Sequence, residues 1–325
     1  MNQAVLELAA ITISVIWEAF PFVVIGAVLA GILEEMVPQQ AIAKLIPKNT
    51  FLAVLIGSLL GIVFPMCECG IVPVMRRLLR KGLPLGTCVA YMLAGPIVNI
   101  VVISSTWIAF RRYGYGEEMV YIRVGMGIIT AVVTGLIIQS MFRKLGNSML
   151  NPISIPDADK STTTALPQVH PSENRAGEKA SLFRRLANIS ETALHDFIDI
   201  MVFLTLGSFL AAGARLFILE PNEAIADTFY GNPFISIGVM IFIAFIMCLC
   251  SEADAFVAAS LTKFSIASKI AFLVSGPMVD IKLIFMFSRV FRAKTIITIV
   301  AAVWIQVFLY SLLVHVYVSK FVKPE

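Results

Sequence analysis

Charge is what this sequence has least of. Only 14% of its 325 residues are Asp, Glu, Lys or Arg, against roughly 25% in a soluble domain. It also has only three histidines and three tryptophans. A chain with so few charges, 58% hydrophobic residues and a mean hydropathy of +0.89 cannot cover its own surface in water. That excludes an ordinary cytosolic enzyme and a disordered tail protein. The net charge of +4 is spread thinly, which excludes a nucleic-acid footprint. No GxxxxGK[ST] phosphate loop occurs, so the chain has no ATP motor of its own. The opening MNQAVLELAA lacks a basic n-region and a cleavage site, and reads as the start of a first span rather than a removable signal.

What is present is a series of long apolar runs. A helix needs about 20 such residues to cross a bilayer. The runs at 9–33, 51–75, 84–109, 120–142, 190–214, 233–259, 268–289 and 296–319 give eight candidates. Strands are not expected, because period-2 alternation is missing. The predicted class is an all-α integral membrane protein of about eight transmembrane helices. The densest basic clusters are Arg76, Arg77, Arg80 and Lys81, then the segment 143–185. Two spans separate them, so both fall on one face, the cytoplasmic one by the positive-inside rule, together with both termini. Arg123 and the 289–294 loop are assigned to the opposite face. Residues 146–188 are rich in Ser, Thr, Pro and charge and read as a flexible cytoplasmic linker, with His170 solvated inside it. The chain then divides into a membrane unit at 1–145, the linker at 146–188 and a second unit at 189–325.

The two units repeat each other. A shift of 181 residues (Cys67 onto Cys248) also aligns Gly26 with Gly207, Cys69 with Cys250, Gly95-Pro96 with Gly276-Pro277, and Asn99 with Asp280. Two C-x-C pairs and two G-P-x-V-[N/D] motifs at one offset indicate duplication. Four spans per unit imply parallel repeats; re-entrant segments at the cysteine pairs would invert them.

Several residues do not suit a lipid-facing helix. Pro65, Gly70 and Pro73 surround Cys67-Glu68-Cys69 and should break the helix there. On a broken segment the two thiols can converge on one soft ion, so Cys67 and Cys69 are candidate metal ligands. The second pair, Cys248 and Cys250, has no proline beside it, so an unbroken helix is expected. Glu252 and Asp254 follow and need a cavity or a cation, unless they sit in water at a helix end. Gly95-Pro96 and Gly276-Pro277 should kink their helices, with Asn99 and Asp280 forming a polar spot at mid-depth. Lys282 can neutralise Asp280, Glu252 or Asp254, although it does not share a helix face with Asp280. Glu18 and Asp199 occupy equivalent places in the first and fifth spans; proton carriage and an interfacial position are both open for them. Cys88 lacks a repeat partner and reads as core.

With these motifs read, the chain resembles the predicted-permease family of YraQ-type proteins and organoarsenical efflux permeases. The resemblance rests on PMCECGIVPVMRRLLRKGLP, AGPIVNIVV, CSEADAFVAAS and SGPMVDIK. It implies a polytopic inner-membrane permease, not an enzyme, in which Cys67, Cys69, Gly70, Gly95, Pro96, Asn99, Gly276, Pro277 and Asp280 match the family's motifs. The expected function is movement of a soft, thiophilic solute, a metal ion or trivalent arsenical. Cys67, Glu68, Cys69, Asn99, Cys250, Glu252, Asp254, Asp280 and Lys282 would form the substrate site. The alternatives are an intramembrane thiol-disulfide oxidoreductase and a permease for a sulfur compound or oxyanion. No cofactor is expected. The expected partners are the lipid bilayer, a small solute or ion, a soluble thiol or metal-carrier protein and a second copy of the chain, but no nucleic acid.

Overall fold

Asn49 opens the first short helix by accepting a hydrogen bond from the amide of Phe51, and a mostly apolar helix of 14 residues follows before the chain breaks. That helix rises about 21 Å at 1.5 Å per residue, too little to cross a bilayer core of about 30 Å. The architecture follows from several such short helices set among long ones. The computed structural model describes residues 2–36, 47, 49–64, 66–151, 182–218, 232–261 and 264–321. Pro65, His170, most of the linker, Lys44, Lys48 and the side chains of Glu18, Asp196 and Asp199 lie outside what it describes.

The first half holds α1 (Asn2–Met36), α2 (Thr50–Val63), α3 (Glu68–Arg80), α4 (Leu85–Ala94), α5 (Ile100–Arg111) and α6 (Gly116–Leu145). The second holds α7 (Leu182–Ile218), α8 (Pro233–Met247), α9 (Asp254–Ser260), α10 (Ile266–Met278), α11 (Ile281–Phe287) and α12 (Ala293–Phe321). No strand occurs among the described residues; one isolated bridge pairs Leu150 with Phe291. Five stretches are long and apolar enough to cross a membrane: Leu6–Ile32, Gly116–Leu145, Ile189–Leu210, Ile266–Phe287 and Ala293–Tyr317. The expected continuous spans at 51–75, 84–109 and 233–259 are instead split, as α2 with α3, α4 with α5, and α8 with α9.

Contacts give each helix a direction. At one end of the molecule, Arg143 donates to the Thr50 hydroxyl at 2.6 Å and Gly86 N donates to Gln139 Oε1 at 2.7 Å. Residues 149–151 dock at the same end, where Asn151 N bonds Val290 O and Arg292 N bonds Met149 O. We call this the linker end. Thus α2 enters from the linker end, reaches Gly95 through Gly61, and α3 carries the chain back. Then α4 and α5 together run the full depth alongside α6. At the opposite end Ser236 meets Ser268 at 2.8 Å, and Lys269 lies over the Tyr113 ring at 5.6 Å. So α8 enters from that opposite end and α9 returns to it. Along α12, Thr295 bonds Met149 O and Gln306 bonds Thr134, so this helix starts at the linker end and leads away from it.

One expectation is corrected by these directions. Arg143 and the 289–294 loop, assigned to opposite faces from charge counts, lie at one end because residues 149–151 pair with 290–292. Positive-charge counting fails here because it treats each hairpin as a crossing.

The interior is built on α4, buried at all ten residues, and α10, buried from Ala267 to Met278. Around them α1 and α7 pair antiparallel, with Gly31 against Ile189 and Phe20 edge-on to Phe197. Their outer faces carry exposed Ile13, Trp17, Val202 and Phe209, as lipid-facing helices do. Small residues allow the close crossings. A Cβ at Gly26 would lie 2.5 Å from Gly70 O, and one at Gly207 would lie 2.8 Å from the Lys282 Cα. Both neighbours are backbone and cannot swing away. Gly26→Val and Gly207→Val are therefore expected to cost about 1–3 kcal/mol each through overpacking. Thermal unfolding in detergent checks this against Gly238→Ala, which meets open space and should leave the transition unmoved.

Candidate functional site

Four helices begin in the interior. Cys67, with extended backbone, precedes α3; Asn99 caps α5 by accepting from Val101 N; Ala253 precedes α9; and Asp280 caps α11 by accepting from Leu283 N at 2.6 Å. Helix starts expose amide donors, and breaks expose carbonyls. In a dry interior each needs a partner.

The widest break is Cys248–Ala253. Here the sequence expectation of an unbroken helix is overturned: α8 ends at Met247, and Cys248 adopts a left-handed backbone with φ 49°. Two buried cations satisfy its carbonyls. Lys282 Nζ donates to Cys248 O at 3.2 Å, and Arg123 Nη2 donates to Ser251 O at 3.0 Å. Each cation also binds a carboxylate that starts a helix. Lys282 Nζ lies 2.8 Å from Glu68 Oε1, the first residue of α3. Arg123 Nη2 lies 2.9 and 2.8 Å from the two oxygens of Asp254, the first residue of α9. Thr106 accepts from Arg123 Nη1 at 2.6 Å. All four charged side chains are at most 2% exposed. Each pair joins the two halves, in opposite sense: acid from the first half and base from the second, then the reverse.

Most of the expected site residues come together around Lys282. Asp280 Oδ2 lies 3.5 Å from its Nζ. The helix-face argument that separated these two does not apply, because Asp280 has an extended backbone outside α11. Cys250 Sγ lies 3.9 Å from the same nitrogen. Cys67 and Cys69 are both buried and flank Glu68 where α3 begins. Asp254 sits apart with Arg123. Glu252 is half-buried. Asn99 is buried and committed to its helix cap. Among the described residues no three His, Cys, Asp or Glu side chains form a group able to hold a metal ion.

The expected break residues act differently from one another. Gly70 lies in the first turn of α3, where its role is close contact with Gly26. Pro73 lies inside α3 and does not end it; it leaves the Cys69 carbonyl without a helical donor. Gly95 and Pro96 fall in the turn that separates α4 from α5, so they break the helix rather than kink it. Gly276 and Pro277 lie in the last turn of α10, and the break follows at Val279–Asp280.

Arg123 is the residue that the sequence reading missed. It was counted as a loop cation, yet it is 1% exposed inside α6. The signal was available: it is followed by VGMGIITAVV, and a cation so placed in a span needs a buried partner.

Comparisons with known proteins give the family. The family model described as "Predicted permease", ArsP_1, matches residues 4–316. The chain belongs to this predicted-permease family. The permease is 37% identical to UPF0718 protein YcgR of Bacillus subtilis, over 96% of this chain and 98% of that one. It is 33% identical to a Streptococcus mutans protein named a putative two-component membrane permease complex subunit, over 97% of each chain. It is 23% identical to UPF0718 protein YraQ of Escherichia coli, over 48% of this chain and 43% of that one. No solved structure matches it.

Proposed function

We propose that this permease moves a small, thiol-seeking solute through a mid-depth site at the start of α3. The observation that carries this reading is that buried Cys67 and Cys69 flank Glu68 at a helix break, and that Glu68 and Cys250 both meet Lys282. Soft sulfur ligands suit soft acceptors. Lys282 narrows the class further: a buried ammonium beside the sulfurs opposes a bare metal cation and tolerates a neutral trivalent arsenical.

The duplication offers a means of alternating access. In support, α4 and α10 start at Leu85 and Ile266, and α5 and α11 at Ile100 and Ile281, all at the 181-residue offset read from the motifs. Corresponding helices run in opposite senses, as inverted repeats do. Yet α1 packs on α3, and α7 on α11, through the corresponding Gly26 and Gly207. Exchanging the repeats would seat α7 on α9 and α1 on α5. The outer face of α5 carries exposed Ile100, Val101, Trp107 and Ile108, beside a groove of about 730 Å³ between α5 and α6. Movement of the α1–α7 pair between these two seats would open the site to one face and then the other. The Streptococcus relative's name supports seeking a second subunit alongside the solute, and a soluble thiol carrier or second copy can be sought in the same purification.

Two measurements check the reading. Cells without their own arsenic and metal exporters should accumulate less trivalent methylarsenical when they express the permease, and Cys67→Ser with Cys69→Ser should abolish the difference. Unchanged accumulation of methylarsenical, arsenite, Zn(II) and Cu(I), with expression confirmed, overturns the soft-solute claim. For the movement, Arg289 stacks on Phe203 at 5.3 Å, and the repeat counterparts of those residues are Ile108 and Phe22. A Phe22→Cys and Ile108→Cys pair should cross-link in membranes and arrest transport; failure to cross-link with or without solute contradicts the exchange.

A further inference from the structure

Three charged groups meet at the start of α3 and α11, and their charges do not balance. Lys282 carries one positive charge, while Glu68 and Asp280 both face it, at 2.8 and 3.5 Å. The three side chains are at most 1% exposed. With both acids ionised, a net negative charge would be held away from water, which is strongly unfavourable. A second observation points the same way. Glu68 Oε2 is buried with no hydrogen-bond partner, and Asp280 Oδ2 has none beyond its 3.5 Å approach to Lys282.

The surroundings do not supply the missing charge. Cys67 and Cys69 on α3, and Cys248 and Cys250 from the break, add no positive charge. The Arg123 guanidinium is matched one-to-one by Asp254. Arg76 and Arg77 lie about 12 Å further along α3 by helix rise. Gly26 of α1 lies against Gly70, and Gly207 of α7 lies against the Lys282 backbone.

We propose that Glu68, Asp280 and Lys282 form a single-proton site, in which the two carboxyls share one exchangeable proton. Protonation leaves one carboxylic acid, one carboxylate and one ammonium, a neutral set. Release yields a carboxylate and a free proton, with the negative charge stabilised only when water or solute enters. The use of that proton as the coupling ion rests on the permease reading; its presence does not. The Arg123–Asp254 pair sets one base against one acid.

Infrared spectroscopy of the purified full chain in lipid nanodiscs tests the site without any solute. At neutral pH the spectrum should contain the carbonyl-stretch band of one buried, protonated carboxyl, shifting in D2O. Glu68→Gln or Asp280→Asn should remove it, since one acid then pairs with one lysine. Glu68→Asp should keep it, and Lys282→Met should double it, because both acids then lack a cation. Retained elution as a single folded species separates these outcomes from misfolding. Absence of the band, or its survival in both Glu68→Gln and Asp280→Asn, overturns the proton site whatever is found about transport. In proteoliposomes carrying an internal pH dye, methylarsenical flux with no accompanying proton movement overturns the coupling role, whereas absence of flux counts against the permease's solute instead.

Discussion

Backbone that leaves the helix at membrane depth must find hydrogen-bond partners inside the protein, and the rest of this structure follows from how that demand is met. Between Cys248 and Ala253 the chain gives up its helix, and side chains from elsewhere take its carbonyls. Lys282 serves Cys248 and Arg123 serves Ser251. A cation brought into such a place needs an anion, and each one takes the carboxylate that begins a returning helix, Glu68 or Asp254. Breaks, buried charges and helix starts therefore form one set of mutually dependent parts.

That set also joins the halves. Breaking a buried ion pair leaves an uncompensated charge and costs about 3–5 kcal/mol, so the two crossed pairs hold the halves in register. The contacts of α1 and α7 are of another kind. They lie on α3 and α11 through glycines, with apolar surface on their outer faces, and no buried charge pair among the described residues ties them to the site. The exchange we propose requires such a division of labour, a charged centre held in place beside an apolar helix pair.

Much of this was legible in the residues. Composition placed the chain in a membrane, the sequence from Pro65 to Cys67 pointed to the break that falls between Val63 and Glu68, and Lys282 was recognised as an intramembrane cation. The directions of the helices were not legible, because an apolar run reports length but not whether the chain crosses or returns. Nor was the second break, since Cys248 ends its helix through tertiary hydrogen bonds rather than through a proline. The Asp280–Lys282 contact was missed because helix spacing was applied across a helix start. Arg123 was missed because charge counting assigned it to a loop on the opposite face, while its partner lies 131 positions further along the chain.

The claim that crossed ion pairs hold the broken interior is tested most directly by a double-mutant cycle on Arg123 and Asp254, read by reversible unfolding in mild detergent. Arg123→Met and Asp254→Leu should each destabilise the protein by about 3–5 kcal/mol. Together they should cost much less than their sum, because neither leaves a charge stranded. Additive losses, within about 0.5 kcal/mol, would contradict the account.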